Sequence, residues 1–176
     1  MQKERSSAAL LAPSEFEARI ALALTRSDHQ TPHARLLLFG FGGLDLLVGD
    51  LGTEVTRAAL REVGERLADL LPKGLHASHL FGDRFAVLLA GTKQQEGVTG
   101  RLLRALRPPT TYHEEEVTLQ PHFGVASARN AATPQDLLRR ATAALQRAES
   151  TGSETPTLYQ TNQMPLHATD PPLSRD

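Results

Sequence analysis

The sequence predicts an α+β domain in which helices pack on a sheet. Three observations carry that prediction. Short apolar runs of strand length alternate with stripes at helical spacing. Two of the runs, Leu75–Leu80 and Phe85–Leu89, flank a tight Gly-first turn at Gly82-Asp83. The order helix, strand, helix, hairpin, helix, strand, helix, strand includes a hairpin and so excludes an all-parallel sheet.

Each element has its own signal. Ser14-Glu15-Phe16-Glu17 fits a capping box, and Phe16, Ile20, Ala23 and Leu24 recur at helical spacing, which predicts a helix over 15–26. Leu36–Phe39 is a continuous apolar run, as in a strand covered on both faces. Gly40-Phe41-Gly42-Gly43 and a short apolar segment at Leu44–Val48 follow. Thr53 is the expected N-cap of a helix to Leu71, whose stripe is Val55, Ala59, Val63, Leu67 and Leu70, and Pro72 and Gly74 stop it. Thr92–Gln95 reads as the opening of the next helix, which buries Val98, Leu102, Ala105 and Leu106 and ends at Pro108-Pro109. Val117, Leu119, Phe123 and Val125 alternate as one strand, in which Pro121 implies an edge or a bulge. Thr133-Pro134-Gln135-Asp136 starts the last helix and Gly152 closes it. Thr157-Leu158-Tyr159 is a short final strand, and the prolines beyond Gln160 mark a tail.

Composition narrows the function. A chain of 176 residues suits one domain. The absence of cysteine excludes disulfides, thiolate zinc and cysteine catalysis. A net charge of −1 gives no basic excess for gripping nucleic acid. No apolar run reaches the roughly 18 residues of a membrane span. The Ala8–Ala12 stretch is too short for a signal peptide, so a soluble cytoplasmic domain is expected.

Motifs for chemistry are sparse. Gly40-Phe41-Gly42 begins like a dinucleotide fingerprint, but Asp45 stands where the third glycine belongs. His76 and His79 fall on opposite faces of one strand and do not share a metal. His113 beside Glu114-Glu115-Glu116 offers metal ligands, although such a run is more often a solvated loop.

The hairpin and its neighbours resemble the GGDEF domain of diguanylate cyclases. His79-Leu80-Phe81-Gly82-Asp83-Arg84-Phe85 stands where that family has arginine, an apolar residue and Gly-Gly-Asp/Glu-Glu-Phe. Val117–Ala126 is similar to its strand ending in Ser-x-Gly-apolar-Ala. Leu137–Glu149 is similar to its Leu-x-x-x-Ala-Asp-x-Ala-Leu-Tyr-x-Ala-Lys helix, and Tyr159 to its terminal tyrosine. The likeness spans about residues 34–160. It implies a nucleotidyl cyclase-like fold with a ferredoxin-like core: a mixed, mainly antiparallel sheet with helices on its faces. The expected organisation is a flexible N terminus at 1–13, a helix and linker at 14–33, a degenerate GGDEF-like domain at 34–160 and a disordered tail at 161–176.

The chemistry that the resemblance implies is not matched residue by residue. In the family, the first aspartate of an upstream stretch and the third signature residue hold divalent metal under GTP. Those positions are Gly40 and Asp83 here, so Asp83 is the only remnant ligand. The fourth signature residue is Arg84, the two guanine readers are Val48 and Arg57, the phosphate-binding lysine of the last helix is Glu149, and the inhibitory product site falls on Pro72 and Leu75. No catalytic residue is therefore assigned and no cofactor is expected, with magnesium arriving only alongside a nucleotide. The signature remnant is Phe81, Gly82, Asp83, Arg84 and Phe85. The expected function is a catalytically inactive regulatory or protein-interaction module in bacterial cyclic-di-GMP signalling. The alternatives are a nucleotide sensor, with Gly40, Gly42, Arg57, Asp83 and Arg84 along the old cleft, and an enzyme of altered substrate. A protein partner is expected; a homodimer and a nucleotide are the alternative partners. The length leaves no room for an attached sensor or receiver domain, so input is expected from a separate partner or a ligand in the cleft.

Overall fold

The structure, a computed structural model, describes residues 10–26, 34–72, 74–89, 97–112 and 115–160. A five-stranded sheet in the order β2-β3-β1-β6-β7 forms its centre. The strands are β1 (Arg35–Phe41), β2 (His76–Phe81), β3 (Arg84–Leu89), β6 (Pro121–Ser127) and β7 (Thr157–Leu158). All neighbours are antiparallel except β6 and β7. A separate hairpin joins β4 (Thr110–Tyr112) to β5 (Glu115–Val117). The α+β reading and the mixed, mainly antiparallel sheet hold.

Period-two side chains sort the core into two layers. On one face Leu37, Phe39, Phe41, Phe85, Val87 and Phe123 meet α3 (Thr53–Leu70) and α4 (Val98–Leu106). On the other, Leu36, Leu38, Ala86 and Leu88 meet α1 (Pro13–Thr25) and α5 (Pro134–Thr151). Both faces of β1 are thus covered, which is why its sequence is continuously apolar. The phenyl rings form a stack: Phe39 lies 5.3 Å from Phe85 and 5.4 Å from Phe123. On the α5 side the layers meet closely at Gly124, where an added Cβ would sit 2.8 Å from Leu145 Cα.

Several local expectations are corrected. α1 begins at Pro13 and its cap residue is Ala12, so Ser14 lies inside the helix and the capping box does not form. Proline at the first helical position needs no hydrogen-bond acceptor and already has helical φ, which moves the start upstream. β1 is longer than 36–39, because β6 pairs with it from Arg35↔Ser127 to Phe41↔Pro121. The segment after the glycines is a full helix, α2 (Leu44–Leu51). Gly52, not Thr53, caps α3; it has φ +87° and links α2 to α3 with no loop between them. The strand expected across 117–125 is divided: β5 takes Glu115 and Glu116 from the acidic run, and β6 starts afresh at Pro121. Pro121 marks neither an edge nor a bulge; it is the first residue of an interior strand, where its missing N–H is tolerated.

Other signals act as read. Gly82 has positive φ and sits with Asp83 between paired Phe81 and Arg84. Thr133 Oγ1 accepts the Asp136 N–H at 3.1 Å, and Gly152 closes α5 with φ +62°. Residues 10–13, expected within a flexible N terminus, are placed on the domain: Leu11 bridges Ser78 of β2 before α1 begins. α1 belongs to the same body, with Phe16 and Ile20 fully buried. The helix opening at Thr92–Gln95, the linker at 27–33 and the tail at 161–176 lie outside the described residues. Among the described residues no helix is long and apolar enough to cross a membrane.

Candidate functional site

The β2–β3 hairpin and the end of β1 meet at one charged cluster. Gly40 follows Leu36 and Leu38 on the sheet face that α5 covers, and it has no side chain to place there. The guanidinium of Arg84 fills that space. A Cβ built on Gly40 would overlap Arg84 Nη1 and lie 3.1 Å from Asp83 Oδ2. Arg84 donates to Glu149 of α5 through Nη1 and through Nη2 at 3.3 Å, and its Nε lies 3.4 Å from Asp83 Oδ1. Asp83 Oδ2 accepts the Phe41 N–H at 2.8 Å.

The cluster is electrostatically self-contained. Arg84, Asp83 and Glu149 are each no more than a quarter exposed, which strengthens their attraction relative to a surface pair. Burial alone works against the charge on Arg84. The Glu149 hydrogen bond, with the charges of Asp83 and Glu149, outweighs burial and holds the guanidinium above its ordinary value. One cation thus links two carboxylates from different elements.

A larger feature lies on the other face. A cleft of about 910 Å3 runs along α3, with α2 on one wall and the hairpin on the other. Its exposed surface is mainly apolar, with Leu10, Leu44, Val48, Leu60 and Phe85, and polar side chains of α3 and His79 stand among them. His79 stacks on Phe85 at 4.3 Å, and its Nε2 lies 2.7 Å from the Gly82 carbonyl oxygen. Arg57 and Arg61 edge the cleft toward the α2 end. A second pocket of about 410 Å3, between α1, α5 and the hairpin, is lined in part by Phe81, Arg84 and Gln146.

The structure divides the residues that the sequence grouped together. Gly40, Asp83 and Arg84 meet. Arg57 and Gly82 instead line the large cleft, whose lining includes neither Asp83 nor Arg84. Arg57 itself is an exposed residue paired with Glu54 at 3.4 Å. Gly42 donates to the Gln120 carbonyl at 3.4 Å, and a Cβ there would lie 3.1 Å from Nε2 of the buried His122. Phe85 is buried in the ring stack, while Phe81 is 71% exposed at the hairpin tip. Among the described residues, which exclude His113 and Glu114, no three metal-ligating side chains converge. The role of Glu149 was missed as a contact. Its signal lies in the sequence, since Glu149 stands where the resemblance implies a lysine and Arg84 where it implies an acid.

Comparison with known proteins agrees with the fold. The family model described as the diguanylate cyclase GGDEF domain matches residues 10–155. The GGDEF domain of YfiN (TpbB) from Pseudomonas aeruginosa is similar at 22% identity and TM-score 0.79, over 88% of this chain and 99% of that one. The diguanylate cyclase SiaD of the same organism, solved with its activator SiaC, is 19% identical with TM-score 0.77, over 85% and 58%. The GGDEF domain of DgcB from Caulobacter crescentus, solved with c-di-GMP, is 13% identical with TM-score 0.75, over 92% and 98%. No curated protein matches the sequence significantly.

Proposed function

For a chain that belongs to the diguanylate cyclase GGDEF-domain family, we propose a role without catalysis: a silent domain that works as a regulatory, protein-binding module in cyclic-di-GMP signalling. The observation that carries this reading is the Arg84 guanidinium over Gly40, bonded to Glu149 and beside Asp83. Cyclases of the family use divalent ions to neutralise charge while one GTP attacks another. The residues here do not fit such an ion. Gly40 offers no ligand, a fixed positive charge stands in the same space, and both Asp83 oxygens already face donors. Glu149, where the family has a phosphate-binding lysine, would repel a phosphate.

Loss of base recognition points the same way. Val48 and Arg57 flank the cleft where the family reads guanine, and a site stripped of its hydrogen-bonding partners loses discrimination of about 10⁴. A protein partner is compatible with this fold, since the similar diguanylate cyclase SiaD is solved with its activator SiaC. The test is incubation of the purified protein with GTP and magnesium or manganese, followed by chromatography. No cyclic dinucleotide is expected; its accumulation in proportion to protein would overturn the proposal.

A further inference from the structure

The large cleft has the dimensions and charge pattern of a site for a different ligand. The α3 residues that line it run from Thr53 to Asp69, about 24 Å at 1.5 Å per residue. Its volume of about 910 Å3 lies within the range of small-molecule sites, about 300–1,000 Å3. An extended peptide would fit, but the helical wall has no free backbone groups to pair with its amides. The edge of β2 is engaged by Leu11, which donates its N–H to the Ala77 carbonyl at 2.8 Å. A single hydrocarbon chain needs no such partners.

The walls favour hydrocarbon. From α2, Leu44 and Val48 line the cleft, Val48 exposed and Leu44 only partly covered by the core. Along the rim, α3 places Arg57, Arg61, Glu65 and Asp69 at successive four-residue steps, so the edge is positive near α2 and negative toward Leu10. The pairing of Arg57 with Glu54 is largely exposed, and no ion pair joins Arg61 to an acid among the described residues. An anionic head would be drawn to the Arg57–Arg61 end and repelled from the other.

We infer that this cleft binds a free medium- or long-chain carboxylate, its tail along α3 between Leu44, Val48 and Phe85 and its carboxylate at Arg57 and Arg61. The inference rests on the reading that the cleft no longer selects guanine.

The experiment is a calorimetric titration of the whole protein with decanoate below its micelle concentration, with decan-1-ol as the uncharged control. One-site saturable binding of decanoate is expected. R57E/R61E, which changes only solvent-facing positions, should weaken decanoate at least tenfold and leave decan-1-ol unchanged. V48D, on a wall that is not buried, should abolish both. Absence of saturable decanoate binding overturns the inference, as does equal decanoate affinity in R57E/R61E or unchanged binding in V48D. Cyclic dinucleotide made from GTP would overturn the silent-domain reading instead. A blank titration with that assay also blank removes the acyl site alone.

Discussion

Arg84 and Gly40 are complementary: the guanidinium of one occupies the volume in which a side chain on the other would begin. Neither residue is free to change alone. Gly40→Ala should destabilise the protein by roughly 1 kcal/mol, because Arg84 must leave Glu149 or Asp83 to make room. In an Arg84→Ala background the same change should become neutral or stabilising, since alanine suits a strand better than glycine. Urea unfolding of the four proteins measures the coupling; the same sign in both backgrounds would contradict the geometry.

Glu149 holds the other end of that guanidinium. Glu149→Gln leaves a partly buried cation with Asp83 as its only counter-charge, and stability should fall by about 1–2 kcal/mol, less than for a fully buried pair. A double-mutant cycle with Arg84→Gln should show a coupling of about 1 kcal/mol. Additive single effects would mean that the contact is energetically idle.

At Gly124 the obstacle is backbone, not a movable side chain. An added Cβ would meet Leu145 Cα at 2.8 Å and overlap its amide nitrogen. Gly124→Ala should therefore separate α5 from β6, cost about 2–3 kcal/mol and lower the Tm by roughly 4–12 °C. Differential scanning calorimetry decides it, and an unchanged Tm would show that the layers yield.

Asp136 predicts a pH dependence. Burial pushes its carboxyl upward, but hydrogen bonds from Arg139, Arg140 and the Ala132 amide outweigh this and hold it below the ordinary aspartate value. A depressed folded pKa contributes stability that is complete above the unfolded value and lost as pH falls through the folded one. Asp136→Asn should thus lower stability at neutral pH and converge with the parent in acid. Denaturation midpoints at pH 7 and at pH 2–3 check this, and a constant gap between the proteins would refute it.

How far the sequence reveals this molecule depends on the range of the interaction concerned. Thr133 and Gly152 could be read because a cap is settled within four residues, and Gly82-Asp83 because a two-residue turn has few solutions. α2 was not legible. Its aliphatic residues fill a short stretch between glycines, and what makes it a helix is packing beside α3. The break between β5 and β6 was hidden because alternation continues through Val117, the paired end of β5, and Leu119, which is buried between the two strands. The charged cluster shows the same limit. Arg84 and Glu149 each look like a defect in the family pattern, and only folding brings positions 65 apart together as one compensated pair.

The bridge between Leu11 and Ser78 has a bearing on solubility. A sheet with open margins is a template on which further chains can add strands. Here one margin, β2, is strapped by Leu11, whose carbonyl accepts the buried Ser78 hydroxyl at 2.8 Å. The opposite margin, β7, is two residues long. Strand addition is hindered at β2 by the Leu11 bridge and at β7 by the strand's brevity, so opening that bridge would leave the middle of β2 as a free pairing edge.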